Sequence, residues 1–290
     1  MQPGYRENCR SKGRMEDVVE SYAHDGFVFP ISVISEEEAE ALRADLEAAE
    51  EELADSPDRL ALLRSYPDRL LPSFDQLVRN TVLIQHASQI LGSDLMVWSA
   101  GLFIKEPHSQ KIVSWHQDLM YWGLDDAEET TCWVALSPAT KESGCMMFVP
   151  GSHKRRLVPH IDTFAENNLL SRGQEIAVKV DDSEGVAVEL EPGEASMHHG
   201  HLFHASGPNT TRDRRIGTAI RYIRPSMRQV SGDKSLVALV AGEDRHGHFK
   251  LAGSPRGRLA AEDFELCRLD SDLKRRVLYD GVDSSKGKRY

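Results

Sequence analysis

From about residue 93 onward the hydrophobic period of this chain is that of short strands, and this limits its fold more than any other feature. Short apolar or alternating runs cover 95–105, 130–136, 145–149, 175–180, 186–190, 194–203 and 215–224. Pro107, Ser143-Gly144, Pro150-Gly151, Pro192-Gly193 and Gly207-Pro208-Asn209 punctuate them. Strands this short, separated by turn residues this often, predict a β-sandwich or jelly-roll barrel. The flanks read differently. Residues 1–24 form a polar N-terminal arm that ends in a short helix, and 26–29 reads as a strand. Ser35-x-x-Glu38 is a capping box, so a helix should run to about Leu53. Further helices are expected near 75–91 and 260–278, with a Gly- and charge-rich loop over 227–258. The 290 residues suit one large domain over 25–290, with its jelly-roll core at about 93–226. The expected class is mainly β with flanking α-helices.

A net charge of −11 argues against a nucleic-acid or acidic-membrane partner. Cys9, Cys132, Cys145 and Cys267 are scattered and form no CxxC pair, as expected of reduced thiols in a cytoplasmic protein. The polar first 24 residues lack the apolar stretch of a secretory signal, and no apolar run is long enough to span a membrane.

Chemistry concentrates at His116-Gln117-Asp118 and, far downstream, at His204 and Arg215. On an extended segment residues i and i+2 point to one side, so His116 and Asp118 can converge on one ion. With His204 they make two imidazoles and one carboxylate, the donor set of a mononuclear non-haem iron site with an open face. A lone His-x-Asp is common; the competing reading is a surface histidine beside a solvated aspartate. The run Met197-His198-His199-Gly200-His201-Leu202-Phe203-His204 adds weight. On a regular strand His198 and His204 would share one face and His199 and His201 the other, and a bulge at Gly200 would swap that parity. His204 is the expected ligand, and the other three are expected to be fillers or hydrogen-bonding neighbours. Arg215 opens the next run, and a hairpin would return it beside the His204 strand. Gly217 and Ala219 on its face would leave room for a bound molecule, and an inward arginine needs an anion such as a dicarboxylate cosubstrate.

These residues lie in segments that resemble the phytanoyl-CoA dioxygenase family, which includes ectoine hydroxylase-like enzymes. The carrying segments are SWHQDLMYWGL at 114–124, TTCWVALSPATKESGCMMFVPGSHK at 130–154 and HGHLFHASGPNTTRDRRIGTAIRYIRPS at 199–226, with DGFVFP at 25–30. The resemblance covers about 20–230. It implies a double-stranded β-helix (jelly-roll, cupin-like) core that uses Fe(II), 2-oxoglutarate and O₂. By position, His116, Asp118 and His204 fall on the iron ligands, and Arg215 on the arginine that pairs with the distal carboxylate of 2-oxoglutarate. Ser206 matches a residue that helps hold the same cosubstrate. Trp133 is a further candidate for that pocket, with a core tryptophan as its competing reading. Trp122 and Tyr121 are expected near the substrate pocket. His199 is a further pocket candidate, and His198, His201, Arg221 and Lys105, with Lys111, are expected to give the pocket a cationic lining suited to a small anionic metabolite. Halogenating relatives replace the carboxylate ligand with a small residue. Asp118 therefore favours hydroxylation, with release of succinate and CO₂, while desaturation and epoxidation use the same ligands. A mobile lid is expected over 162–185. The alternative is a non-catalytic cupin-type metal-binding protein built on His199, His201 and His204.

Overall fold

The computed structural model describes residues 15–230 and 234–280. Cys9 and most of the polar arm lie outside the described residues. The helix expected at the end of the arm is α1 (Met15–Asp25), which buries Tyr22 in the core. It leads into β1 (Phe27–Ser32). Next comes α2 (Glu36–Glu52), whose capping box is complete: the Ser35 hydroxyl accepts from the Glu38 amide and the Ser35 amide donates to the Glu38 carboxylate. Between 53 and 91 the chain makes α3 (Pro57–Ser65), α4 (Pro67–Leu70), α5 (Pro72–Val78) and α6 (Thr81–Leu91). The single helix expected at 75–91 is thus two. Asn80 separates them, its side chain accepting from the Val82 and Leu83 amides as a new N-cap.

Strands fill the rest: β2 (Leu95–Lys105), β3 (Val113–His116), β4 (Glu129–Ala135), β5 (Met146–Phe148), β6 (His160–Asp162), β7 (Gln174–Ile176), β8 (Val186–Val188), β9 (Glu194–His198), β10 (His204–Ser206), β11 (Arg215–Ile223), β12 (Leu236–Ala241) and β13 (Lys250–Leu251). α7 (Ala261–Leu278) follows. The segment 227–258, expected to be loop, contributes β12 and β13 to a sheet edge. One sheet has seven strands in the order β1-β9-β4-β11-β2-β12-β13, and the other has four in the order β3-β10-β5-β8. β6 and β7 form a separate two-stranded ribbon.

Alternation along the large sheet decides what lies where. Ile216, Ile220 and Tyr222 of β11, Cys132 and Val134 of β4, and Ala195 and Met197 of β9 pack with the α2, α5 and α6 leucines. The opposite faces of those strands turn inward, where Trp133, Ala135 and Ala219 meet Phe27, Phe148 and Val188. Arg215, Gly217 and Arg221 share that inward parity. The space expected beside Gly217 is not open, however, because the Trp133 indole fills it. A Cβ on Gly217 would lie 1.9 Å from the ring. Gly217→Ala is therefore expected to destabilise the protein by about 1–3 kcal/mol through overpacking. A chemical-denaturation midpoint reads this, and an unchanged midpoint would mean that the indole swings aside freely.

Candidate metal centre

The histidine-rich run is not one strand, contrary to the sequence expectation for 194–203. β9 stops at His198, and the chain turns over 199–203 and enters the other sheet as β10 at His204. His198 and His204 therefore face each other from opposing sheets, with ring centroids 4.7 Å apart. Nor does a hairpin join Arg215 to the His204 strand, since β11 pairs with β2 and β4. Arg215 approaches from across the sandwich.

β3 and β10 are antiparallel, and His116 is the register partner of His204. Their rings lie 4.0 Å apart between centroids. β3 ends at His116, and Gln117 keeps extended dihedrals before a 3₁₀ turn starts at Asp118. That one extended residue puts His116 and Asp118 on the same side. Gln117 points the other way and is fully buried. Its amide donates to the carbonyls of Arg156 and His201 at 2.6 Å each and accepts from the Val158 amide at 2.9 Å. This residue, which carries no metal-site signature, clamps the turn that aims Asp118.

Nε2 of His116 lies 3.5 Å and Nε2 of His204 3.8 Å from Oδ1 of Asp118. Among the described residues this trio is the group able to hold a metal ion, with one donor atom from each residue within 4.8 Å of the others. Nδ1 of His116 faces the Ser114 and His204 carbonyls at 2.9 and 3.1 Å, and Nδ1 of His204 faces the Leu202 carbonyl at 3.0 Å. A carbonyl only accepts, so each Nδ1 donates to its carbonyl, which leaves Nε2 as the nitrogen available to a metal. Burial, then the charge of His116, pushes His204 well below the usual imidazole range, so it stays neutral. Burial alone would raise the Asp118 carboxyl, but His116, His198, His204 and Arg221 together hold it well below the usual range.

The two oxygens of Asp118 have separate partners. Oδ1 faces the two histidine Nε2 atoms, while Oδ2 accepts from the Thr131 hydroxyl at 3.0 Å and lies 3.8 Å from Nε2 of His198. Replacing Thr131 with the near-isosteric valine frees Oδ2. Metal affinity is expected to fall about 10- to 100-fold, as for other residues that orient a ligand. Anaerobic titration with Fe(II) checks this, and equal affinity would mean that the hydroxyl does not orient the carboxylate.

Arg215 and Lys105 are register partners on β11 and β2. Both are buried, at 2% and 0% exposure. Among the described residues no carboxylate pairs with either, and Nε of Arg215 has no hydrogen-bond partner. The guanidinium stands 5.2 Å from the Trp133 ring centroid. Lys105 donates to the Ser206 hydroxyl at 2.7 Å and to the Gly144 and Gly207 carbonyls. Lys105, expected in the substrate lining, thus sits with Arg215, Ser206 and Trp133 between the sheets.

A cavity of about 950 Å³ opens beside the metal trio, lined by Trp98, Phe103, Asp118, Tyr121, Trp122 and Arg221 among others. Tyr121, Trp122, Arg221 and Lys111 are on its wall. His199 and His201 are not. Their rings are tilted against one another with centroids 5.0 Å apart, and His153 stands 5.5 Å from His199. The histidine trio of the non-catalytic alternative is therefore not assembled. The segment expected to be a lid forms the β6–β7 ribbon, with Glu166, Leu169 and Ser171 on the cavity wall. Arg172 ties it to Asp162 and donates to the Leu278 carbonyl at 2.6 Å beside the C-terminal helix. Neither Trp98 nor Thr131 stood out in the sequence. Thr131 does lie two residues from Trp133 on a strand whose inner face was already marked.

Two facing sheets with two histidines and one carboxylate on the inner wall define a jelly-roll class able to hold a mononuclear metal with an open face. The family profile of phytanoyl-CoA dioxygenase (PhyH) matches residues 22–217, and the chain belongs to that family. It is 28% identical over 185 residues to a probable phytanoyl-CoA dioxygenase of Caenorhabditis elegans, covering 61% of this chain and 59% of that one. It is 32% identical over 164 residues to the ectoine dioxygenase of Bordetella bronchiseptica, covering 52% and 53%. The matches thus span little more than half the length of these curated relatives. Among solved structures it is similar to the non-heme monooxygenase ThoJ in its apo form, with a TM-score of 0.82 and 31% identity over 90% of this chain and 97% of that one. Among the described residues no helix is long and apolar enough to cross a membrane.

Proposed function

We propose that the chain is an Fe(II)- and 2-oxoglutarate-dependent oxygenase that hydroxylates a C–H bond of a small organic molecule. The observation that carries this is the pairing of two features in one sandwich. One is a trio of donor atoms close enough together to share one ion; the other is the buried Arg215 guanidinium, with no protein anion, beside the buried Lys105 amine. Isolated buried charges are costly, so an anionic ligand is the natural partner of Arg215 and Lys105.

His116, Asp118 and His204 would hold the metal, and their neutral-imidazole tautomers fit a divalent ion. Arg215, Lys105 and Ser206 would hold the far carboxylate of the cosubstrate, with Trp133 as the floor beneath the guanidinium. When bound, iron and 2-oxoglutarate couple oxidative decarboxylation to succinate with insertion of one oxygen atom from O₂ into the substrate. The chain's own work is to fix three donors, seat the cosubstrate in one orientation and keep water from the site. Thr131 and Gln117 serve the first task, by holding Oδ2 and the turn that carries Asp118. Asp118 itself fills the position that chloride takes in halogenating relatives, which favours hydroxylation. A cytoplasmic setting agrees with the buried free thiols of Cys132, Cys145 and Cys267.

Anaerobic addition of Fe(II) and 2-oxoglutarate is expected to give a weak visible charge-transfer band. A substrate screen should release succinate and a product heavier by one oxygen atom. If wild-type protein gives neither band nor succinate, the oxygenase reading fails. A product lighter by two hydrogens would replace hydroxylation by desaturation at the same site.

A further inference from the structure

The large cavity says what kind of molecule the metal trio faces. Its volume of about 950 Å³ suits a ligand of drug-like size. Much of the wall is apolar, from Leu102, Phe103, Ile104, Trp122 and Leu169. Among the described residues that line it, two buried side-chain nitrogens have no hydrogen-bond partner: Nε1 of Trp98 and Nε of Arg221. Both are donors, so the wall asks for an acceptor.

Arg221 is the charged member of this pair. It lies on the inward face of β11, with Ser99 of β2 and Thr131 of β4 as register partners. Its guanidinium stands 5.2 Å from the Trp122 ring centroid and 5.9 Å from that of Phe103. Trp122 in turn stacks on Trp98 at 4.9 Å. This aromatic setting fixes the cation; the buried carboxyls of Asp118 and Glu129 feel its charge, but neither comes within ion-pair distance of it. Its hydrogen bonds are marginal, at 3.5 Å to the Ser99 hydroxyl and 3.4 Å to the Ala219 carbonyl. No ion pair to it is found among the described residues. Among the other cations on the wall, Arg64 pairs with Glu50, Arg268 with Glu265 and Asp272, and Lys274 with Asp270, while Arg275 lies over the Tyr279 ring at the end of α7. Arg59 and Lys111 are exposed.

We propose that Arg221 anchors a carboxylate of the oxidised substrate, so that the substrate class is an apolar or aromatic carboxylic acid held beside Asp118. This rests on the oxygenase reading for its role, but binding can be read without turnover. A carboxylate could also come from the metal-side end of 2-oxoglutarate, and the test separates the two sources.

The full chain is titrated calorimetrically with 3-phenylpropanoate and with its neutral amide. The titrations are run with and without Fe(II) and saturating 2-oxoglutarate, under argon. The acid is expected to bind about 10- to 100-fold more tightly than the amide, the range of a charge-assisted hydrogen bond to a half-buried cation. That preference should persist when 2-oxoglutarate is saturating, vanish in Arg221→Gln and survive in part in Arg221→Lys, with the Fe(II)/2-oxoglutarate band retained in both variants. Equal binding of acid and amide, no binding of either, or a preference that persists in Arg221→Gln would overturn the proposal. A preference abolished by 2-oxoglutarate, or a band lost in Arg221→Gln, would give the cation to the cosubstrate and overturn it as well. A band missing from the wild type instead sinks the oxygenase reading and leaves the acid preference to stand or fall on its own.

Discussion

An Asp118→Ala protein is expected to fold and yet release no succinate above background, a loss of at least about a thousandfold. The magnitude follows from what a bound metal contributes to a reaction, several kcal/mol, at about 1.4 kcal/mol per factor of ten. Asp118 is the anionic donor of the trio, so its removal leaves two neutral imidazoles facing a divalent ion. Folding is expected to be spared for a separate reason. In the metal-free protein Asp118 shares its buried surroundings with Glu129, whose carboxyl is pushed well above its usual range by burial and then by the charge of Asp118. Taking Asp118 away relieves that repulsion but also forfeits the contacts with His116, His198, His204, Arg221 and Thr131 that hold its carboxyl ionised, so the metal-free variant should stay folded with a melting temperature only modestly below that of wild type. Succinate release near the wild-type rate would remove Asp118 from the metal site. A collapsed melting temperature would mark it as a structural residue.

The contrast between Asp118 and its neighbours also measures what the sequence could convey. His-x-Asp was legible because one extended residue between two donors suffices to aim them, and Gln117 is that residue. The inward parity of Arg215, Gly217, Ala219 and Arg221 was legible for the same reason: β11 is a regular nine-residue strand with a strict period of two. The histidine run was not, because alternation assumes that the strand continues. Gly200 lies where the backbone passes Glu129 and Leu119 too closely for any Cβ, and there the chain leaves one sheet for the other. A long-range contact of that kind has no local signature. The same holds for Trp133: the space beside Gly217 was foreseeable, but its occupant comes from the neighbouring strand. Lys105, Thr131 and Gln117 take their roles from partners 13 to 102 residues away, so spacing alone could not assign them. β3, four residues long and carrying His116, is too short to show a period at all.

Lys105 yields the other large effect, because it shares a buried site with Arg215. Arg215→Met is expected to raise the KM for 2-oxoglutarate by a factor of a few hundred or more, from the roughly 3–5 kcal/mol lost when one partner of a buried ion pair is removed. Lys105→Met should act in the same direction but less, since Arg215 still offers a planar two-point grip. What sets Lys105 apart is its proton. Burial, then the charge of Arg215, pushes its ammonium down to about 6. In the unfolded chain the amine titrates near its ordinary value of about 10.4. Between those two values the unfolded state binds more protons, so the ligand-free protein should gain stability as pH rises through that window. This gain should be absent in Lys105→Met. A dicarboxylate beside the amine reverses the shift, so binding of 2-oxoglutarate at neutral or mildly alkaline pH must take up a proton, and affinity should weaken as pH rises. Calorimetric titrations in buffers of different ionisation enthalpy read that proton directly. Uptake in wild type and none in Lys105→Met is the expected pair of results. No uptake in wild type would mean that the cosubstrate carboxylate does not face Lys105, and Arg215 alone would then have to hold it.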